Sequence, residues 1–304
     1  MLRVIVLGAA AGGGLPQWNC GCPNCVAARE GRIRASTQAS LAVTSDDANW
    51  FLINAAPDLR QQVSTTPRLH PRSGALRHSP IAGVILTNAE VDAVAGLLTL
   101  REGSPLTLYA HPQVLAVLQS NSIFNVLNPA HVARVPIAPD TSFTPRNADG
   151  LAAGFDVTPF VVPGKEALYL EGASRSDDGD TLGLTLRDHA SGKTVQIVTA
   201  CARITDDLIA QFEGADAIFF DGTLWRDDEL IVAHLGQKTG ARMGHVAMDG
   251  PDGAIARLAN VDAKRKMFVH INNSNPVWRD DSGERATAQR AGWEIGYDGM
   301  EIVL

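Results

Sequence analysis

Cys20, Cys22 and Cys25 stand in the run NCGCPNC, a CxCxxC spacing that lets three thiolates converge on one soft metal ion. Gly21 and Pro23 let the backbone wrap such an ion. Zinc ordinarily takes four ligands, so this reading requires a fourth from a distant segment, which would tie the N-terminal loop to the core. Unliganded buried thiols and a redox dithiol are the alternatives, the latter without thioredoxin-like surroundings. A second set of donors is made of oxygen. In TNAEVDAVAGL, which spans residues 87–97, Asn88, Glu90 and Asp92 alternate, so an extended loop turns them to one side. Two adjacent carboxylates repel unless a cation or proton lies between them, and oxygen donors suit a harder ion such as Fe²⁺ or Mn²⁺. His270, in FVHINNSNPVW, ends an apolar run. Joined to Glu90 and Asp92 it gives one imidazole and two carboxylates, a variant of the facial triad of non-haem iron oxygenases. Against this stand a helix N-terminus with capping acids and a histidine satisfied within the core.

Such residues need strand ends to hold them. Short β-branched runs recur as RVIVLG, SLAVTS, NWFLINA, GVILTN, LTLYA, VQIVTA, AIFFDG and KMFVHIN, many closing on small, polar or acidic residues. Helical spacing of apolar residues predicts helices over 92–101, 112–121, 205–212 and 253–260. GASRSDDGD, residues 172–180, reads as an exposed hairpin turn between YLE and TLGLTLR, its acids solvated. AAAGGG lacks the ending of a phosphate loop and the spacing of a dinucleotide fingerprint, and so provides turning room. With no repeat, low-complexity linker or composition break, residues 1–304 read as one α/β domain of two sheets packed inside outer helices.

Of the 304 residues, 45% are hydrophobic, which supports a sizeable core. A formal net charge of −7 excludes a broad basic face for nucleic acid, where affinity comes from neutralised phosphates. No run approaches the roughly 20 apolar residues of a membrane-spanning helix, so no membrane insertion is expected. The first residues, MLRVIVLGAAAGGGLP, read better as a strand and glycine turn than as a secretion signal. Three of four cysteines crowd into one loop, which fits a metal clip in a reducing cytoplasm rather than a disulfide framework.

The motifs CGCPNC, INAAPDLRQQ, LTNAEVDAVAGLLTLREG, TACARIT, FFDGTLWRDDEL, GARMGHVAMDG and HINNSNP, in this order over nearly the whole chain, resemble the B proteins of pyrroloquinoline quinone (PQQ) biosynthesis. The resemblance implies the metallo-β-lactamase fold, a four-layer αββα sandwich. It also implies an iron- and O₂-dependent hydroxylase acting on the tyrosine ring of a peptide-derived Glu-Tyr diamino acid. A non-catalytic binding or transport protein for PQQ or its precursor is the alternative, and a residual metal-dependent hydrolase the third reading. Hydrolases of this fold carry THxHxDHxxGL; here Asn88 and Glu90 replace the first two histidines, Asp92 is kept and Ala93 replaces the last. Gly164 or Lys165 stands where another histidine is expected, and Ala200 at the bridging aspartate, so a hydrolytic binuclear zinc centre is not expected. The resemblance therefore assigns an Fe²⁺ to Glu90, Asp92 and His270. It assigns a structural Zn²⁺ to Cys20, Cys22 and Cys25, with Asn273 at the position of the fourth ligand. By the same resemblance His245 is a proton-transfer or substrate-positioning residue, with Asp221 near the same rim. Lys165, Arg175 and Arg203 are the basic residues to test against substrate carboxylates. The expected partners are the small-molecule substrate and O₂, and a homo-oligomer is compatible with all of this.

Overall fold

The structure is a computed structural model that describes residues 1–72, 74, 76–170 and 180–304. The strands are β1 (Arg3–Gly8), β2 (Ser40–Thr44), β3 (Trp50–Ile53), β4 (Ile81–Ile85), β5 (Leu106–Ala110), β6 (Val132–Pro136) and β7 (Phe155–Val161). They continue as β8 (Leu182–Asp188), β9 (Thr194–Val198), β10 (Ala217–Asp221), β11 (Lys266–Val269), β12 (Trp293–Ile295) and β13 (Glu301–Val303). One sheet runs β13-β1-β2-β3-β4-β5-β6 and the other β12-β11-β10-β9-β8-β7. Each is mixed: β3 to β6 are parallel in the first, and β9 to β12 in the second.

Side chains alternate faces along a strand, and that period sorts the first sheet into two cores. Val4, Val6, Phe51, Ile53 and Ile85 face the second sheet and join a cluster with Phe155, Leu184, Ile197, Phe219 and Phe268. Phe51 meets Phe155 edge-on at 5.7 Å between ring centres. Ile5, Leu7, Trp50, Leu52 and Val84 turn the other way, against Leu59, Leu97, Val114 and Leu118 from the helical layer. Helices Asp206–Phe212 and Gly283–Arg290 bring Leu208, Phe212 and Ala288 to the second sheet, which completes the αββα sandwich.

Every β-branched run of the sequence forms a strand, and the four strands not read there are β6, β7, β12 and β13, the four sheet edges. Edge strands need hide only part of their surface and tolerate proline, as Pro136 in β6 and Pro159 in β7 show. Their hydrophobic signal is correspondingly weak. TLGLTLR forms β8, but its antiparallel partners are β7 and β9. Tyr169 and Leu170 instead lie in a 3₁₀ turn, which corrects the expected hairpin; its turn and Arg175 fall outside the described residues. The helix expected over 92–101 is one α-turn, Val91–Val94, followed by a 3₁₀ stretch, Ala95–Glu102. Gly96 packs so closely on the chain that a Cβ there would sit 2.2 Å from the Ala56 carbonyl oxygen. Pro112–Ser120 and Asp206–Phe212 match their predicted spans within a residue, while the helix of 253–260 shrinks to Ala254–Arg257.

Candidate metal centres and an adjoining cavity

The parallel strands end on one rim of the sandwich, where open α/β sheets place their ligands. Asn54 stitches three of these ends together. It follows β3 in the left-handed region, at φ 60°, accepts from the Thr87 amide at 2.9 Å and donates to the Thr87 hydroxyl at 2.9 Å. A longer contact of 3.4 Å reaches Thr199 after β9, in the opposite sheet. The β1 end is joined to the β11 end by Ile271 N to Ala9 O and Ala11 N to Ile271 O, both 2.8 Å. The glycines that follow β1 then turn with positive φ at Gly13 and Gly14. A Cβ on Gly12 would lie 3.3 Å from Asp92 Oδ2, so the turn lets the backbone press against this carboxylate.

The cysteine loop folds as its composition suggests. Pro23 opens the helix Pro23–Arg29, and Cys22 caps it, its sulfur accepting from Cys25 N. The cap and the first turn place both sulfurs on one side, and the three Sγ atoms gather within 4.8 Å of one another. Arg29 closes the loop through the carbonyls of Cys20 and Gln17, each at 2.6 Å. Above the sulfurs lies the buried side-chain amide of Asn273, its Nδ2 at 3.3, 3.5 and 3.3 Å from Cys20, Cys22 and Cys25. The backbone of Asn273 is held by Asn24, whose Nδ2 donates to its carbonyl at 3.0 Å. Half a turn of the amide exchanges nitrogen for oxygen at the same place, which is a fourth vertex over three sulfurs. Burial pushes the Cys25 thiol up to about 11. It also opposes the Cys22 thiolate, but hydrogen bonds from the Cys25 amide, the neighbouring thiols and Asn273 outweigh it and bring Cys22 below its ordinary value. Three crowded sulfurs capped by an amide make a donor set that fits a tetrahedral thiophilic ion.

The oxygen-rich loop after β4 meets the C-terminal histidine. His270 Nε2 lies 2.9 Å from Asp92 Oδ2. Two donors set about 2.1 Å from one ion and at right angles are about 3.0 Å apart, so the pair fits neighbouring positions on a single ion. His270 also adopts φ 56°, a backbone region costly for a residue with a side chain. Burial favours the neutral form of both groups, but the hydrogen bond and opposite charge outweigh it. Asp92 is held below the usual carboxylate range and His270 above the usual imidazole range.

Behind this pair lies a second one. Asp221, fully buried at the end of β10, accepts from His245 Nδ1 at 2.7 Å and from Cys201 N at 2.9 Å. The rings of His245 and His270 stack at 5.1 Å. Thr223 Oγ1 touches Asp221 Oδ1 at 2.7 Å, His270 Nδ1 at 2.8 Å and His245 Nδ1 at 3.1 Å. Donor atoms of Asp221, His245 and His270 come within 4.8 Å of one another. The Thr223 hydroxyl already bonds among them, so the pair open to an ion is Asp92 with His270.

Glu90, expected as the added oxygen donor, is turned elsewhere. Its carboxylate accepts from Leu168 N at 3.1 and 3.2 Å and from Lys165 Nζ at 3.3 Å. It still lines, with Asp92, His245, His270, Lys165 and Lys238, a cavity of about 540 Å³, a volume suited to a small molecule. Ala200 lines it too, and Ala93 is buried against the β3 end, its carbonyl accepting from Ala55 N at 2.7 Å. Arg203 is exposed on neighbouring clefts and does not line this cavity. Sequence reasoning passed over Asn54, Thr223, Lys238 and Tyr169, which lines the cavity and donates its hydroxyl to the Ala89 carbonyl at 2.8 Å. Thr223 sits two residues beyond Asp221 in FFDGT, and Asn54 closes a predicted strand, so both carried a positional signal; Lys238 and Tyr169 carried none.

Two mixed sheets packed face to face between helical layers, with the candidate site on the strand-end rim, make a metallo-β-lactamase fold, and the sequence profile of the β-lactamase superfamily domain matches residues 49–271. Coenzyme PQQ synthesis protein B of Rhodopseudomonas palustris (strain TIE-1) is 62% identical over 308 aligned residues that cover 100% of both chains. The crystal structure of Zn²⁺-bound PqqB from Methylobacterium extorquens superposes with a TM-score of 0.93 at 48% identity, over 99% of this chain and 100% of that one. The chain belongs to the coenzyme PQQ synthesis protein B family. A diphosphatase of the PhnP family, 19% identical with a TM-score of 0.69 over 100% of this chain and 98% of its own, shares the fold.

Proposed function

We propose that this protein acts in PQQ biosynthesis as an iron- and O₂-dependent hydroxylase of the tyrosine ring of a peptide-derived Glu-Tyr diamino acid. The observation that carries the reading is the Asp92–His270 pair, 2.9 Å apart on the wall of a small-molecule cavity. Around it, alanines stand at two positions where the resemblance expects hydrolase ligands. A centre with only these two protein donors leaves positions open to substrate and O₂, which suits oxygen chemistry better than hydrolysis. When bound, ferrous iron supplies the electron transfer to O₂ that side chains cannot. In the balance of the reaction a ring C–H becomes C–OH, the second oxygen atom leaves as water, and a reductant and solvent supply the two electrons and two protons this requires.

The chain's own residues position and deprotonate. His245, whose Nδ1 bonds Asp221 at 2.7 Å, keeps Nε2 as an acceptor for a phenol or ring proton. Asp221, buried behind it, stabilises the charged ring that results. Lys238, and Lys165 from its place on Glu90, suit the carboxylates of the substrate. Cys20, Cys22, Cys25 and Asn273 hold a structural zinc that fixes the Asn-rich turn directly after His270. The zinc-bound relative supports a zinc ion in this family. The three sulfurs and the amide are the donor set that suits it.

The deciding experiment is anaerobic loading with Fe²⁺, addition of the Glu-Tyr diamino acid, and exposure to O₂ with a reductant. Oxygen uptake and a product one oxygen atom heavier are expected. Full iron loading and stoichiometric ligand binding without oxygen uptake would overturn the hydroxylase in favour of a carrier.

A further inference from the structure

We infer that Thr223 is a positioning residue that sets the proton arrangement of the open centre: its hydroxyl donates to Asp221 and thereby obliges His270 to carry its proton on Nδ1. The inference rests on the metal reading of the Asp92–His270 pair and adds the residue that prepares it. A threonine hydroxyl has one proton and two lone pairs. Four acceptors or ring nitrogens surround it: Asp221 Oδ1 at 2.7 Å, His270 Nδ1 at 2.8 Å, His270 O at 3.0 Å and His245 Nδ1 at 3.1 Å. A hydrogen bond to a carboxylate is about twice as strong as one between neutral groups, so the proton goes to Asp221.

The remaining assignments follow by elimination. Asp221 Oδ2 accepts only, so His245 must donate its Nδ1–H across their 2.7 Å contact. With the Thr223 proton spent on Asp221, its 2.8 Å contact with His270 works only if His270 Nδ1–H donates to Oγ1. Nε2 of His270 then faces Asp92 Oδ2 across 2.9 Å as the one ring position that can exchange a proton for a metal ion, since two acceptors at that distance require one or the other between them. One fully buried carboxylate thus orients both imidazoles, His245 directly and His270 through a hydroxyl. Replacing that hydroxyl with a methyl group frees His270 to place its proton on Nε2, in the position an ion would occupy.

The test compares the wild-type protein, Thr223→Ser and Thr223→Val, each with ¹⁵N-labelled histidine and retaining the zinc of its cysteine centre as a control for folding. Imidazole ¹⁵N shifts report which ring nitrogens carry a proton; titration with Co²⁺ or Fe²⁺ reports the open centre. The wild type and Thr223→Ser should show His270 protonated on Nδ1, whereas Thr223→Val should shift it to Nε2–H and weaken metal binding by about 10–100-fold. A Thr223→Val protein with the wild-type tautomer and wild-type metal affinity overturns the inference. Failure of Thr223→Ser to restore the wild-type tautomer overturns it equally. If the tautomer shifts as expected but even the wild type binds neither ion, the role of Thr223 stands and the metal reading of the pair falls.

Discussion

Replacing Asn273 with alanine removes one of the four vertices around the proposed zinc and leaves three sulfurs. The geometry allows the effect to be sized. With Zn–S near 2.3 Å and Zn–O near 2.1 Å in a tetrahedron, an oxygen ligand lies about 3.6 Å from each sulfur. The amide terminus of Asn273 lies 3.3, 3.5 and 3.3 Å from the three, within a few tenths of an ångström of that requirement. Water can replace the lost oxygen but not its fixed position, so zinc affinity should fall by about 10–100-fold, roughly 1.4–2.7 kcal/mol. Ligand that binds only the folded state stabilises it in proportion to log affinity, so at saturating zinc Tm should drop by about 2–4 °C. Competition with a chromogenic chelator measures the affinity, and thermal unfolding at fixed zinc measures the stability. Asn273→Asp presents oxygen on either branch and should retain or tighten binding, whereas Cys22→Ser should lose most of the zinc. Wild-type affinity in Asn273→Ala, alongside a loss in Cys22→Ser, would remove Asn273 from the ligand set.

Two further predictions concern the open centre and the fold around it. Asp92→Ala and His270→Ala, which break the 2.9 Å pair, should each abolish iron binding and leave the cysteine-bound zinc in place; metal analysis showing full iron in both would take these residues off the ion. The pH dependence of folding should show the buried carboxylate of Asp188. Burial works against its charge, but the hydroxyl and amide of Ser191, at 2.6 and 2.9 Å, outweigh burial and hold it below the ordinary carboxylate value. A depressed folded-state value means that its contribution is present above about pH 4 and lost as pH falls through the folded value. Asp188→Asn should therefore be less stable at neutral pH with a shallower acid limb, and an unchanged acid limb in urea titrations would contradict the assignment.

How far the site is legible in the sequence depends on distance along the chain. CxCxxC is local, so the convergence of its sulfurs can be read directly, and TNAEVDAVAGL lays out oxygen donors at alternate positions. The chemistry of their side chains pairs Asp92 with His270, and the fold does bring them together from 178 residues apart. Glu90 has the right type and spacing, yet it spends its carboxylate on Lys165 and the Leu168 amide, a partnership made by a segment that returns to the rim much later. Nor could Thr223 stand out, since its role exists only where the ends of β10 and β11 lie side by side and His245 closes over them.

By itself the sequence determined the interior strands, the soft thiolate donors and the harder oxygen donors of the two centres. These follow from residue type and short-range periodicity, which act within a few positions of the chain. Tertiary structure alone decided the edge strands, the diversion of Glu90 and the hydrogen-bonded path from Asp221 through Thr223 to His270. Those depend on which strand ends become neighbours, and a hydrogen bond a few ångströms long has no counterpart in a linear pattern whose partners lie tens to hundreds of residues apart.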